Sequence, residues 1–180
     1  MNIRKPTDYI TMFTTLDTLM AAQLPQMELY REIGRVVSGR SEKGAAVAAS
    51  EYLQAAYPAA EGFSPRNLRR MREFYAAYEE SPEIIRLAMN LGWTQNVAIL
   101  ERCSSNEERA WYIRAVLHFG WKKAKLLAAI ESQAWQHSST FPTDPLNLQA
   151  VTRFFYSAAK PQRKKRRCTA LSFTAFSTRS

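Results

Sequence analysis

The sequence predicts an all-α protein, a multi-helix domain containing a helix-turn-helix-like unit and followed by a basic, largely disordered C-terminal tail. Three observations predict this. Apolar residues recur at helical spacing as far as about residue 137. Glycine and proline fall mainly where they punctuate helices, at Pro25, Gly44, Pro58, Gly62, Pro65, Pro82, Gly92 and Gly120. Short alternating β-branched segments bounded by Asn-Gly or Asp-Gly turns are absent.

Taken in order, helices are expected near 7–23 and 27–38, on either side of Pro25, and near 44–57, between Gly44 and Pro58. The next, near 65–79, opens on Ser64-Pro65, which supplies an N-cap hydroxyl and a proline at the first helical position, where its missing amide hydrogen costs nothing. Helices near 82–90 and 93–102 follow, and Ser104-Ser105-Asn106-Glu107 offers a Ser-x-x-Glu capping box for a helix near 105–119. The last, near 121–136, follows Phe119-Gly120-Trp121. That triplet echoes Leu91-Gly92-Trp93, and each glycine suits a left-handed helix end.

The domain division is 1–137 for the helical part and 138–180 for an atypical tail rich in Ser, Thr and Pro, with a short helix near 146–159. Of 180 residues, 46% are apolar and 12% aromatic, enough to fill one domain core and to exclude a wholly disordered chain. Lys and Arg number 25 against 16 Asp and Glu, a formal +9. From Lys160 onward lie seven bases and no acid, so residues 1–159 carry 18 minus 16, or +2. Charge placement therefore matters more than net charge.

Cys103 and Cys168 stand far apart with no Cys-x-x-Cys pair, which argues against a disulfide framework or zinc site and for a reducing, cytoplasmic setting. Asp8 and Asp17 interrupt any signal-peptide run, and no stretch approaches a transmembrane length, so no membrane is expected. His118 and His137 lack partners at ligand spacing, Glu79-Glu80 and Glu107-Glu108 fall at helix ends, and no glycine-rich phosphate loop exists. The expectation is a protein with no enzymatic activity and no cofactor.

The segment 44–80 is the most informative. A helix near 44–57, a connection from Pro58 to Phe63 and a helix from Ser64 have helix-turn-helix organisation with a lengthened turn. Leu68, Met71, Tyr75 and Tyr78 form a core-facing stripe, while Arg66, Arg69, Arg70 and Glu73 fall opposite, all in the first half of the helix. A recognition helix presents such N-terminal residues to the major groove. Arginine forks meet guanine or phosphate oxygens, and Asn67 is able to pair with adenine. The same pattern also fits a merely solvated amphipathic face. The tail run Lys160–Arg167 suits phosphates or an inert soluble end, and Trp93, Trp111, Trp121 and Trp135 suit a core better than base stacking.

These residues have a familiar order. Leu29-Tyr30-Arg31-Glu32-Ile33-Gly34, the run from Gly62 to Tyr75, Trp93-Thr94-Gln95-Asn96, Glu107 to Tyr112, Gly120-Trp121 and Ile130 to Gln133 together resemble the N-terminal domain of the bacterial YhcG-like family, over about residues 20–136. The resemblance implies a helical DNA-binding module that normally precedes a predicted PD-(D/E)xK nuclease domain. After Glu131 the only acid is Asp144, too few for the metal-binding carboxylates of such a nuclease. Gln95 stands where members often carry histidine, and the sequence after Gln133 departs from the family, as an out-of-frame end of a longer gene would.

The expected function is a non-catalytic DNA-binding module, the targeting part of a nuclease-family protein. Its expected DNA-binding residues are Ser64, Arg66, Asn67, Arg69, Arg70 and Arg72, with Arg31, Arg35, Arg40 and Lys43 adding phosphate contacts. The alternative is an interaction module that docks a nuclease domain or a second copy of itself.

Overall fold

The computed structural model describes residues 8–42 and 44–137. The described residues form eight α-helices and no strand: α1 (Ile10–Ala21), α2 (Gln26–Ser38), α3 (Ala45–Ala56), α4 (Pro65–Tyr78), α5 (Pro82–Ala88), α6 (Trp93–Arg102), α7 (Asn106–Phe119) and α8 (Lys123–Glu131), then a 3-10 turn at Ala134–His137. Among them no helix is long and apolar enough to cross a membrane. Lys43, the basic run Lys160–Arg167 and the expected short helix near 146–159 lie outside the described residues.

Helices α1 to α4 share one core, built from Met12, Leu16, Ile33, Val37, Ala45, Ala49, Leu53, Leu68 and Met71, with Phe63 entering from the α3–α4 connection. Helix α4 packs chiefly on α2 and next on α3. Gly34 makes the first packing possible. A Cβ there would run into the Met71 carbonyl oxygen and lie 2.8 Å from its carbon, so only a residue without a side chain lets the two backbones approach this closely. Further along, the Ser38 hydroxyl donates to the Arg72 carbonyl at 3.4 Å. At the other end Tyr30 covers Gly62, whose φ of +92° also favours glycine.

The later helices bury Ile99, Tyr112, Ile113 and Leu126. Helix α4 contacts α6 as well, and through Phe74, whose ring lies 5.1 Å from Tyr78 and 5.7 Å from Trp93, it joins the two halves of the domain.

Four local expectations change. The core position on α4 is Phe74, while Tyr75 is only half-buried at the rim beside Gly34, because α6 covers a second side of α4 and widens its buried arc. The N-cap of α7 is Ser105, which accepts from the Glu108 amide at 3.2 Å. Glu108 in turn accepts from the Ser104 amide at 2.9 Å, one residue later than the expected box. Gly120 is left-handed at φ +62°, but Gly92 is extended and begins α6 instead of ending α5 in a left-handed turn. The helix expected over 121–136 is broken: Gln133 takes φ +52°, and the chain turns back so that the Trp135 amide donates to the Tyr112 hydroxyl at 3.3 Å.

Candidate nucleic-acid interface

Ser64 and Pro65 start α4 as the sequence requires. The Ser64 hydroxyl accepts from the Asn67 amide at 3.3 Å, which satisfies one of the free amides of the first turn. Because Leu68, Met71, Phe74 and Tyr78 are buried, the helix is held along its inner face and its outer face is fixed relative to the whole domain.

Arg66 and Arg69 project from that outer face. The Arg66 side chain is 76% exposed and reaches only to 3.9 Å from a Glu101 carboxylate oxygen. Arg69 is exposed and makes no ion pair among the described residues. Glu73 shares the face, so three arginines (Arg66, Arg69, Arg70) less one carboxylate leave a local net of +2.

The other expected contacts are engaged within the chain to differing degrees. Arg70, only 23% exposed, lies against Glu101 of α6 with Nε donating at 2.8 Å. Asn67 uses both ends of its carboxamide: Nδ2 donates to the Gly62 carbonyl at 2.6 Å and Oδ1 accepts from the Trp93 indole at 2.8 Å. That places Asn67 as a brace between the α3–α4 connection and α6, with its pairing groups already occupied. Arg72 is half-buried, and its backbone carbonyl accepts from the Ser38 hydroxyl of α2. The α3–α4 connection spans residues 57–64, longer than the roughly three or four residues of a tight helix-turn-helix turn.

On α2, Arg35 donates to Glu32 at 2.7 Å and Arg31 lies 3.4 Å from the same carboxylate, so the two share one counter-charge. Arg40 is committed elsewhere. It donates to the Asp8 carbonyl at 2.6 Å, pairs with Glu42 at 3.1 Å and sits 5.2 Å over the Tyr9 ring, pinning the start of α1 to the end of α2. Of the expected contacts, Arg66 and Arg69 are thus the exposed arginines without a close counter-charge, and Arg31 and Arg35 are partly offset.

Beside α4 lies a cleft of about 260 Å³ between α4, α6 and α8, lined in part by Arg70, Thr94, Glu101, Arg102 and Lys123. Sequence reasoning missed these α6 and α8 residues, which come from helices distant in the chain. The Lys122-Lys123-Ala124-Lys125 run was the one local signal that could have marked them. Gln95, at the position the family often fills with histidine, closes the neighbouring turn. Its Oε1 accepts from the Gly92 amide at 3.0 Å and its Nε2 donates to the Trp121 carbonyl at 2.6 Å. The tryptophans serve packing: Trp111 and Trp121 are buried, and Trp93 and Trp135 half-buried. Among the described residues no group of three or more His, Cys, Asp or Glu side chains is placed to hold a metal ion.

An all-helical domain with one fixed, arginine-bearing outer face is the class that the fold and this surface define. Residues 14–137 match the DUF1016 N-terminal domain, and the chain belongs to that family, which is the N-terminal part of YhcG-like proteins. No curated protein and no solved structure matches the chain.

Proposed function

We propose that the chain is a DNA-binding module without catalytic chemistry of its own, the targeting part of a YhcG-like protein, and that the outer face of α4 meets the DNA. The observation that carries this reading is the pair Arg66 and Arg69, exposed on the first half of a helix whose opposite face is locked into the core. A rigid mount matters because phosphate contacts set register and base-edge contacts read sequence, and both require arginine forks held at a fixed distance from the duplex. Arg70 joins them by exchanging Glu101 for a phosphate, while Ser64 and Asn67 set the helix start. Each phosphate neutralised releases counterions, so affinity falls steeply with salt.

The test is fluorescence anisotropy of labelled duplex DNA with three proteins: the intact chain, a form ending at Ala159, and a form with Arg66, Arg69 and Arg70 changed to Ala. The reading expects the arginine variant to lose most of the binding and the shortened form to keep it. Loss with the tail alone would move the function to the basic run Lys160–Arg167. No binding by any form would favour the docking of a nuclease domain or a second copy, which sedimentation of the intact chain would reveal.

A further inference from the structure

The cleft between α4, α6 and α8 extends the charged surface of α4 across the domain. Three cationic side chains line it, one from each helix: Arg70 of α4, Arg102 of α6 and Lys123 of α8. The single carboxylate among them is Glu101, so the lining carries 3 minus 1, or +2. The Thr94 hydroxyl and the Trp93 indole complete one side, and the indole is held in place by its bond to Asn67.

How these charges are paired is informative. Glu101 is shared, accepting from Arg70 at 2.8 Å and standing 3.9 Å from Arg66, so one carboxylate sits between two cations of the proposed DNA-facing helix. Arg102 is offset by Glu131 at 3.5 Å, a partner 67% exposed and therefore weakly held. Lys123 makes no ion pair among the described residues. Both Arg70 contacts and the Arg66 approach fall on a single carboxylate oxygen, Oε1, an anionic acceptor of the kind a phosphate oxygen also supplies.

We propose that this cleft receives a phosphodiester of the DNA backbone, held by Arg70, Arg102 and Lys123, and that Glu101 is an internal competitor which the phosphate displaces. The inference rests on the DNA-binding reading above and deepens it: the contact surface runs from α4 over α6 to α8, and Glu101 sets how much affinity that surface yields. Removing the carboxylate while keeping its shape frees Arg70 and Arg66 for phosphate. Removing Arg102 and Lys123 takes away two phosphate partners and leaves the α4 face intact.

The experiment measures duplex anisotropy over a salt series for the intact chain, for Glu101→Gln and for the double change Arg102→Gln with Lys123→Gln, each checked by circular dichroism melting. A competitor role for Glu101 requires Glu101→Gln to bind several-fold more tightly, with the slope of log affinity against log salt steeper by about one. The double variant is expected to bind at least tenfold more weakly, with a slope shallower by about one, the share of the single phosphate that the cleft holds at about 0.9 per phosphate. Inorganic phosphate at matched ionic strength is expected not to compete, since a single anion lacks the contacts on α4. If the intact chain binds DNA and both variants match it in affinity and slope, the cleft is not in contact and the inference fails while the DNA-binding reading stands. Competition by phosphate at matched ionic strength would make the cleft a free-anion site and overturn the inference in that way. If the intact chain binds no DNA, both fail together.

Discussion

The indole nitrogen of Trp93 donates a 2.8 Å hydrogen bond to Oδ1 of Asn67, tying the first turn of α6 to the first turn of α4. The other end of the Asn67 carboxamide holds the Gly62 carbonyl, so one side chain fixes where α4 begins and which way its arginines point. Both partners are part-buried, and losing one leaves the other short of a bond. Asn67→Ala and Trp93→Phe are each expected to lower stability by about 1–3 kcal/mol. In a double-mutant cycle read by urea unfolding the pair should show a coupling of about 1 kcal/mol. Full additivity would mean that the bond contributes nothing.

Gly34→Ala places a methyl group against the Met71 backbone and 3.1 Å from the Tyr75 Cβ. Alanine gains about 1 kcal/mol of helix propensity over glycine, but a backbone carbonyl packed in the core does not yield as a flexible side chain does. Net destabilisation of about 1–3 kcal/mol is expected. Gly39→Ala is the control. Its nearest neighbours would be 3.6 and 3.7 Å away and its φ is −65°, so its stability should be unchanged or slightly raised. Equal effects at the two glycines would refute the close α2–α4 approach.

Tyr78 is fully buried, its hydroxyl has no hydrogen-bond partner among the described residues, and burial pushes its pKa up to about 12. A buried unpaired hydroxyl costs free energy, so Tyr78→Phe should be neutral or stabilising by about 1 kcal/mol. Tyr112 is its counterpart. Its hydroxyl donates to the Ala129 carbonyl and accepts from the Trp135 amide, each at 3.3 Å, so Tyr112→Phe should cost about 1 kcal/mol. Thermal melts of the two variants should therefore shift in opposite directions or differ clearly in size.

Alkaline pH should weaken the fold through groups that hold their protons more tightly when folded. The hydrogen bond to Asp17, then burial, raises Tyr52 to about 12. The same causes raise Tyr57, and burial raises Tyr78, Tyr112 and Cys103, each to about 12. A pKa raised on folding stabilises fully below the unfolded value, 9.0 for the thiol and 10.0 for the phenols, and that contribution is lost as pH rises toward about 12. Urea midpoints should be flat to about pH 9 and fall beyond it. Tyr52→Phe should lessen the fall, because one titrating group is gone. A fall of unchanged steepness in that variant would count against the Asp17 clamp on Tyr52.

Much of this fold was legible in the sequence because its helix ends are written in local chemistry. Ser64-Pro65 starts α4 and Gly120 ends α7, each within a few residues of the backbone groups it serves. The pattern misled at three ends: Gln133 adopts a left-handed turn, Gly92 opens α6 in an extended conformation, and the α7 cap slips by one residue between two adjacent serines. Phe74 was overlooked because a single stripe presumes one packing partner, whereas α4 has α2 on one side and α6 on another. At the candidate interface, the exposed Arg66 and Arg69 followed from helix periodicity alone. The bracing of Asn67 by Trp93 and the pairing of Arg70 with Glu101 span 26 and 31 residues, and no local pattern announces them.

Contact between the exposed arginines of α4 and DNA is read most directly from the salt dependence of duplex affinity for the intact chain and for Arg66→Ala with Arg69→Ala. Both side chains are exposed and neither packs in the core, so the melting temperature should stay the same while the slope of log affinity against log salt becomes shallower by about two. Superimposable salt curves for the two proteins, with the intact chain binding DNA, would mean that Arg66 and Arg69 do not touch the duplex.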